Sequence, residues 1–295
     1  MKFSDTIKSQ IRTADTLQRI ILVNVVIYLG FAIVRAMMKL FMSSLDEYFT
    51  PSQWLAVPAS VSSLIMKPWT IITYMFYHED FFHILFNMLW LFWMGKIFQE
   101  YLGSKKLFST YILGGISGAI LYIIAYNTFP LFSNSVNFSF ALGASAGVLA
   151  ITVASATLLP DYRVGLMFIG PVALKYIAIV SVFLDLISVS GSNAGGHIAH
   201  LGGALFGFTY IRQLKQGRDL AKWFNNFIDR LSTMFKGGSK MKVSYKRTVA
   251  DDDYVSNKKA KQERTDEILD KISKSGYGSL TKEEREFLFK SSKET

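Results

Sequence analysis

Two short stretches hold the residues of this chain whose types and spacing could do chemistry. They are Gly143-Ala144-Ser145-Ala146-Gly147 and, about fifty residues later, Gly196-His197-Ile198-Ala199-His200-Leu201-Gly202-Gly203. Both lie in apolar runs long enough to enter a membrane, where a buried polar group is costly and therefore usually functional. A serine hydroxyl is a weak nucleophile until a base takes its proton, and the tetrahedral intermediate of acyl transfer needs donors aimed at its oxyanion. Ser145 reads as the nucleophile and one of the two histidines as its base. At a helix start, Ser145 also offers its own backbone N–H and the positive end of the helix dipole. His83 and Asn87, four residues apart and so on one helix face, can add side-chain donors. Taken alone, Gly-Ala-Ser-Ala-Gly is equally a small-residue packing surface, and an intramembrane histidine is equally an interhelical hydrogen-bonding group. What favours chemistry is a serine, an asparagine and histidines converging from three spans at one depth.

The elements that must position these residues follow from composition and hydropathy. The chain is 51% hydrophobic and only 18% charged, although its last quarter is strongly polar, so the part before it is a polytopic membrane domain carrying a soluble tail. It has no cysteine, which excludes a disulfide framework and thiolate metal sites. Its net charge of +10 sits beside the apolar spans. Positive-inside topology and anionic lipid headgroups account for it without a nucleic acid partner.

Six apolar segments are expected, over 20–42, 81–99, 107–126, 143–159, 171–189 and 197–214. The first is read as a retained span, not a signal peptide. The connection 43–80 is broken by Pro51, Pro58 and Pro68 and reads as an interfacial segment. The fourth segment, with Ser145 near its start, is close to the shortest length that can cross ~30 Å of hydrocarbon. The domain reading is a cytoplasmic N-terminal segment over 1–19, a membrane domain over 20–215, a basic polar linker over 216–264 that is expected to be flexible from 236 to about 264, and a small helical hairpin over 265–295 with helices over 266–275 and 282–290. In the hairpin, Thr281-x-x-Glu284 fits a capping box. Placing Lys2, Lys8, Arg12, Arg19, Lys105, Lys106, Arg163 and the tail on the cytoplasmic side satisfies the positive-inside rule.

With the spans in place, the ordered set His83-x-x-x-Asn87, Gly143-x-Ser145-x-Gly147 and Ala199-His200-x-x-Gly203-x-x-x-Gly207 closely resembles the rhomboid intramembrane serine proteases. The resemblance implies an all-α membrane protein with a six-transmembrane-helix bundle, to which this chain adds its small helical tail unit. It implies a Ser–His dyad that cuts other membrane proteins near the outer membrane face. It places the nucleophile on Ser145 and oxyanion residues on His83 and Asn87. It places the base on His200, because only that histidine has glycine at both +3 and +7. His197 is then an accessory group. Leu149 stands where an aromatic ring commonly stacks on the base, and Ala146 where glycine often follows the nucleophile. Asp185, in the fifth segment, is an intramembrane acid; since the resemblance is to a dyad, a structural hydrogen-bonding role is expected of it.

Phe132, Phe138 and Phe140, in the lysine-free connection before Ser145, are candidates for lining substrate entry. The implied substrates are single-pass or multi-pass membrane proteins within the lipid bilayer, with no cofactor, no metal and no nucleic acid. The expected location is a bacterial cytoplasmic (inner) membrane, with both termini cytoplasmic. Two other function classes stand beside the protease. One is a catalytically silent rhomboid-like protein that binds membrane clients, for which Ser145 and His200 would be dispensable. The other is a metal or haem site built from His78, His83, His197 and His200, although the His-x-x-His pair lacks the glutamate of the zinc protease helix motif.

Overall fold

A computed structural model describes residues 13–41, 51–166, 169–235 and 249–293. Lys2, Lys8, Arg12 and residues 236–248 of the expected linker lie outside the described residues. The chain divides into two units, Met1–Phe235 and Lys236–Thr295.

In the first unit, α1 (Thr16–Phe41) buries only Leu17, Ile20 and Asn24 and leaves Val26, Leu29 and Ile33 exposed. An apolar exterior of that kind is suited to a solvent of hydrocarbon. The buried Asn24 amide donates to the Ile20 carbonyl and, at 3.3 Å, to the Tyr111 hydroxyl.

The connection that follows contains α2 (Ser52–Leu55), β1 (Val57–Pro58), α3 (Val61–Met66) and α4 (Thr70–Thr73). It does not simply lie at the interface as expected. Ala56, Val57, Ala59, Tyr74 and Met75 are fully buried. β1 pairs antiparallel with β2 (Phe140–Ala141), Val57 opposite Ala141. The apolar residues between the prolines are drawn into the bundle, while Trp54 and Trp69 stay exposed, the Trp69 indole donating to the Trp54 carbonyl at 2.9 Å.

The remaining helices of this unit are α5 (Phe81–Thr128), α6 (Ser145–Leu158), α7 (Leu174–Ile187), α8 (Ala194–Lys215) and α9 (Lys222–Phe235). α5 runs for 48 residues but turns at Gly103, whose φ of 80° and ψ of 165° are not helical. Its two arms fall where the second and third apolar segments are expected. Between α6 and α7 a hairpin of β3 (Arg163–Leu166) and β4 (Gly170–Ala173) sets Pro171 opposite Gly165. The fifth segment therefore begins its helix at Leu174 and not at Pro171. α9 lies within the stretch expected to be a basic polar linker. Its Phe224 ring stacks on Phe108, and its Asp229 pairs with Lys105.

Helices thus occupy all six expected places. Among the described residues, two of them, α1 and α5, are long and apolar enough to cross a membrane. α6 has 14 residues, about 21 Å at 1.5 Å per residue and short of ~30 Å of hydrocarbon. It is instead the core element: every residue from Ala146 to Ala156 is buried. A helix buried on all sides must let its neighbours approach closely, and small residues are what permit this. On one flank Gly118 of α5 faces the Ala146 side chain; on the other, Gly203 and Gly207 of α8 rest on the carbonyls of Ala146 and Ala150.

The second unit contains α10 (Val249–Ser275) and α11 (Lys282–Lys293). α10 is much longer than the 266–275 expected from apolar spacing. Good helix formers such as Ala260, Lys261, Gln262 and Glu263, with i,i+4 pairs Lys259–Glu263 and Asp270–Lys274, extend it into polar sequence. The capping box is formed: the Thr281 N–H donates to Glu284 Oε2 at 2.7 Å, and the Glu284 N–H to Thr281 Oγ1 at 3.3 Å.

Candidate active site

Ser145 is the first residue of α6, delivered there by a sharp reversal of the chain. Gly143 has φ of 106°, a region that side-chain-bearing residues rarely enter. Its N–H donates to the Tyr74 carbonyl at 2.8 Å, and the next N–H, of Ala144, donates to His78 Nε2 at 3.2 Å. The segment that follows α4 and the segment before α6 are thereby tied together. Accepting that hydrogen bond requires a bare Nε2, so His78 is neutral. Burial first, and the neighbouring His83 second, lower its pKa to about 4.

The N–H groups in the first turn of a helix have no intrahelical carbonyl to bond, so the Ser145 N–H points out of α6. The Ser145 Oγ lies 2.6 Å from His200 Nε2. On the far side of that ring, His200 Nδ1 lies 2.8 Å from Asp185 Oδ1, in α7. His197 Nδ1 lies 2.8 Å from the same oxygen. Both histidines belong to α8, one turn apart, which is why they reach a single acceptor. These three ligand atoms lie within 4.8 Å of one another, close enough to hold a cation. A cation there would take the carboxylate and Nδ1 away from their mutual hydrogen bond.

His83 and Asn87 line the same cavity, of about 690 Å³, as Ser145, Asp185 and His200. His83 is set at the start of α5 by the Asp80 cap, whose carboxylate accepts the His83 N–H at 2.9 Å. The Asn87 amide donates one hydrogen to the His83 carbonyl at 2.8 Å, which orients the side chain along the cavity wall. Leu149, one turn along α6 from Ser145, lines the cavity as well.

The three phenylalanines proposed for substrate entry are not brought to this cavity. Phe132 is buried and stacks on Tyr126 with centroids 4.3 Å apart. Phe138 and Phe140 border a separate, smaller hollow beside Pro58 and Lys67. Pairing of β1 with β2 carries their connection over to the 51–67 segment and away from Ser145. The aromatic wall of the active cavity comes from Phe82, Phe86, Trp90 and Trp93 of α5. Phe82, Phe86 and Trp93 sit at helical spacing beside His83 and Asn87, a signal present in the sequence. Phe82, Phe86 and Trp93 are themselves exposed toward the outside of the bundle, so the cavity opens between helices.

Residues 66–216 match the model of the Rhomboid domain, more than half of the chain and all of the site. The chain belongs to the rhomboid family. Residues 248–294 match a family of unknown function (DUF6576), a separate match that coincides with the helical second unit.

Rhomboid relatives include the Arabidopsis thaliana "RHOMBOID-like protein 12, mitochondrial", 30% identical over 50% of this chain and 47% of that protein. The Danio rerio "Presenilin-associated rhomboid-like protein A, mitochondrial" is 31% identical over 46% of this chain and 35% of its own length. The "Rhomboid protease GlpG" of Yersinia pseudotuberculosis is 25% identical over 52% of this chain and 50% of that protein. The chain spans half or less of the length of each of these curated relatives. The expectation of a bacterial cytoplasmic membrane is corrected by these matches, since the RHOMBOID-like and presenilin-associated relatives are mitochondrial by name.

Proposed function

We propose that this rhomboid is an intramembrane serine endopeptidase that uses Ser145 as nucleophile and His200 as general base. The observation that carries the reading is the 2.6 Å separation of Ser145 Oγ and His200 Nε2 at the start of a buried helix, inside a cavity that opens between apolar helices. The five helices α1, α5, α6, α7 and α8, with α5 supplying two arms, are read as a six-span bundle, the short α6 being shielded from lipid by its neighbours. The setting follows the mitochondrial relatives and is a mitochondrial membrane. The substrates are membrane proteins whose spanning segment is locally unwound, because a carbonyl held in a helix is already hydrogen-bonded and is sterically shielded from Oγ.

The chemistry needs only this chain's residues and water. Ser145 Oγ bonds to the substrate carbonyl carbon while its proton passes to His200 Nε2. The oxyanion so formed faces the Ser145 N–H, with His83 and Asn87 as side-chain donors. Collapse breaks the C–N bond, and His200 returns the proton to the leaving amine. Water, deprotonated in turn by His200, then hydrolyses the acyl-serine and restores the hydroxyl. His197 is an accessory group that touches Asp185 and not Ser145.

The test is cleavage of a model single-span substrate in liposomes, together with labelling of the serine by a fluorophosphonate, in wild type, Ser145→Ala, His200→Ala and His197→Ala. Wild type cleaves and labels, and the first two variants do neither. Cleavage by Ser145→Ala sinks the mechanism, and loss confined to His197→Ala moves the base to His197.

A further inference from the structure

We infer that Asp185 is the positioning residue of the base, so that this rhomboid works with a Ser145–His200–Asp185 relay in place of an unassisted Ser–His pair. The inference rests on the protease reading above and goes beyond it in giving α7 a part in the reaction.

An ionised carboxylate only accepts. Asp185 Oδ1 has two imidazole nitrogens at 2.8 Å, His197 Nδ1 and His200 Nδ1, so both nitrogens carry hydrogen. A neutral imidazole has one N–H. With Nδ1 protonated, His200 Nε2 keeps its lone pair, and this is the nitrogen that faces Ser145 Oγ at 2.6 Å. The other tautomer would point an N–H at the hydroxyl and could not take its proton. Asp185 therefore selects the one form of His200 that can act as base, and its charge offsets the imidazolium that forms when the proton arrives.

Leu149, which lines the cavity with His200, is aliphatic and offers no ring to stack on an imidazole. The His197 ring meets that of His200 edge-on, with centroids 5.8 Å apart, and the hydrogen bond that selects the tautomer is the one to Asp185. Apart from Lys175 at its start and Ser181, whose hydroxyl donates to the Ile177 carbonyl, α7 is mostly apolar and exposed at Ile179, Val180, Phe183, Leu186 and Ile187, whereas Asp185 is buried. A carboxylate buried in such a helix is costly, and both its bonds are to histidines of the candidate site. His197 shares the oxygen and so fixes the carboxylate from the other side.

The experiment uses the full chain in detergent and reads kcat and KM on the single-span substrate, the rate of fluorophosphonate labelling of Ser145, and Tm. Asp185→Asn, which keeps shape but not charge, is expected to lower kcat and labelling by between about 10²- and 10⁴-fold with KM within about twofold and Tm retained. Asp185→Glu restores part of the rate. His197→Ala, which leaves Asp185 on His200, loses less than about tenfold. A merely structural role would move Tm or KM and leave kcat. Asp185→Asn labelling at the wild-type rate overturns the inference. Should Asp185→Asn not fold, the ¹⁵N shifts of wild-type His200 decide: an Nδ1–H tautomer upholds the inference and an Nε2–H tautomer overturns it. Cleavage by Ser145→Ala would instead overturn the protease reading itself, so the two failures are distinguishable.

Discussion

The Gly203 backbone lies directly on the carbonyl oxygen of Ala146, with no room for a methyl group between them. Ala146 follows Ser145 and Gly203 follows His200 by three residues, so this contact sets how closely α8 brings His200 to Ser145. The obstacle is backbone and cannot rotate away. Overpacking of this kind costs about 1–3 kcal/mol. Gly203→Ala is expected to lose fluorophosphonate labelling of Ser145 while the protein still unfolds cooperatively, a few degrees lower. Labelling at the wild-type rate would show that α8 has freedom the packing does not suggest. Gly207→Ala, which meets the Ala150 carbonyl in the same way, should cost similar stability but less activity, being a turn further from the site.

Gly143 carries a second constraint. Its φ of 106° suits glycine, and a Cβ placed there would lie 2.7 Å from His83 Cε1. Gly143→Ala therefore strains the backbone, by about 1–3 kcal/mol, and displaces the His83 ring from the cavity. The expected result is a fall in kcat larger than the change in Tm would explain. Unchanged kcat in a folded Gly143→Ala protein would argue against the oxyanion role proposed for His83.

Much of this site was legible in the sequence because its parts are local patterns. Four-residue spacing puts His83 and Asn87 on one face, and the family resemblance, through glycine at +3 and +7, points to His200 before His197, the one of the two whose ring lies 2.6 Å from Ser145 Oγ. Helix locations followed from apolar runs. What was not legible depends on tertiary pairing. The 57–59 stretch looks interfacial until β1 pairs with β2, and that same pairing takes Phe138 and Phe140 away from Ser145. Asp185 was visible as an intramembrane acid, but nothing in its local sequence says that α7 turns it toward α8. The length of α10 was missed for another reason: its amino-terminal part has no apolar face, and intrinsic propensity with paired charges extends it.

His78 makes stability depend on pH with a definite sign. Its pKa is about 4 in the folded protein against an ordinary 6.5, so between these values the unfolded chain binds a proton that the folded one does not. Stability contributed by neutral His78 is full above 6.5 and is lost as pH falls toward 4, by up to roughly 3 kcal/mol. The proton would also remove the acceptor for the Ala144 N–H. Denaturation of wild type and His78→Asn across this window is the check. The fall should be shallower in the variant, and parallel curves would mean that His78 is not held neutral.

The last prediction concerns the second unit. The Rhomboid match ends at residue 216 and the match to the family of unknown function begins at 248, on either side of the division at Phe235. The candidate active site draws all its side chains from the first unit. A chain ending after Phe235 is therefore expected to label at Ser145 and to cleave the model substrate at rates within about twofold of the full chain. Within the tail, Thr281→Ala removes the hydroxyl that caps α11 and should cost about 1 kcal/mol locally, seen as faster hydrogen exchange in the first turn of α11 with Ser145 labelling unchanged. Lys271, foremost, and the Thr281 N–H hold the Glu284 carboxyl below its ordinary pKa, so the box contributes at neutral pH and weakens as pH falls through that lowered value. A truncated chain that folds but neither labels nor cleaves would mean that the tail takes part in building the site.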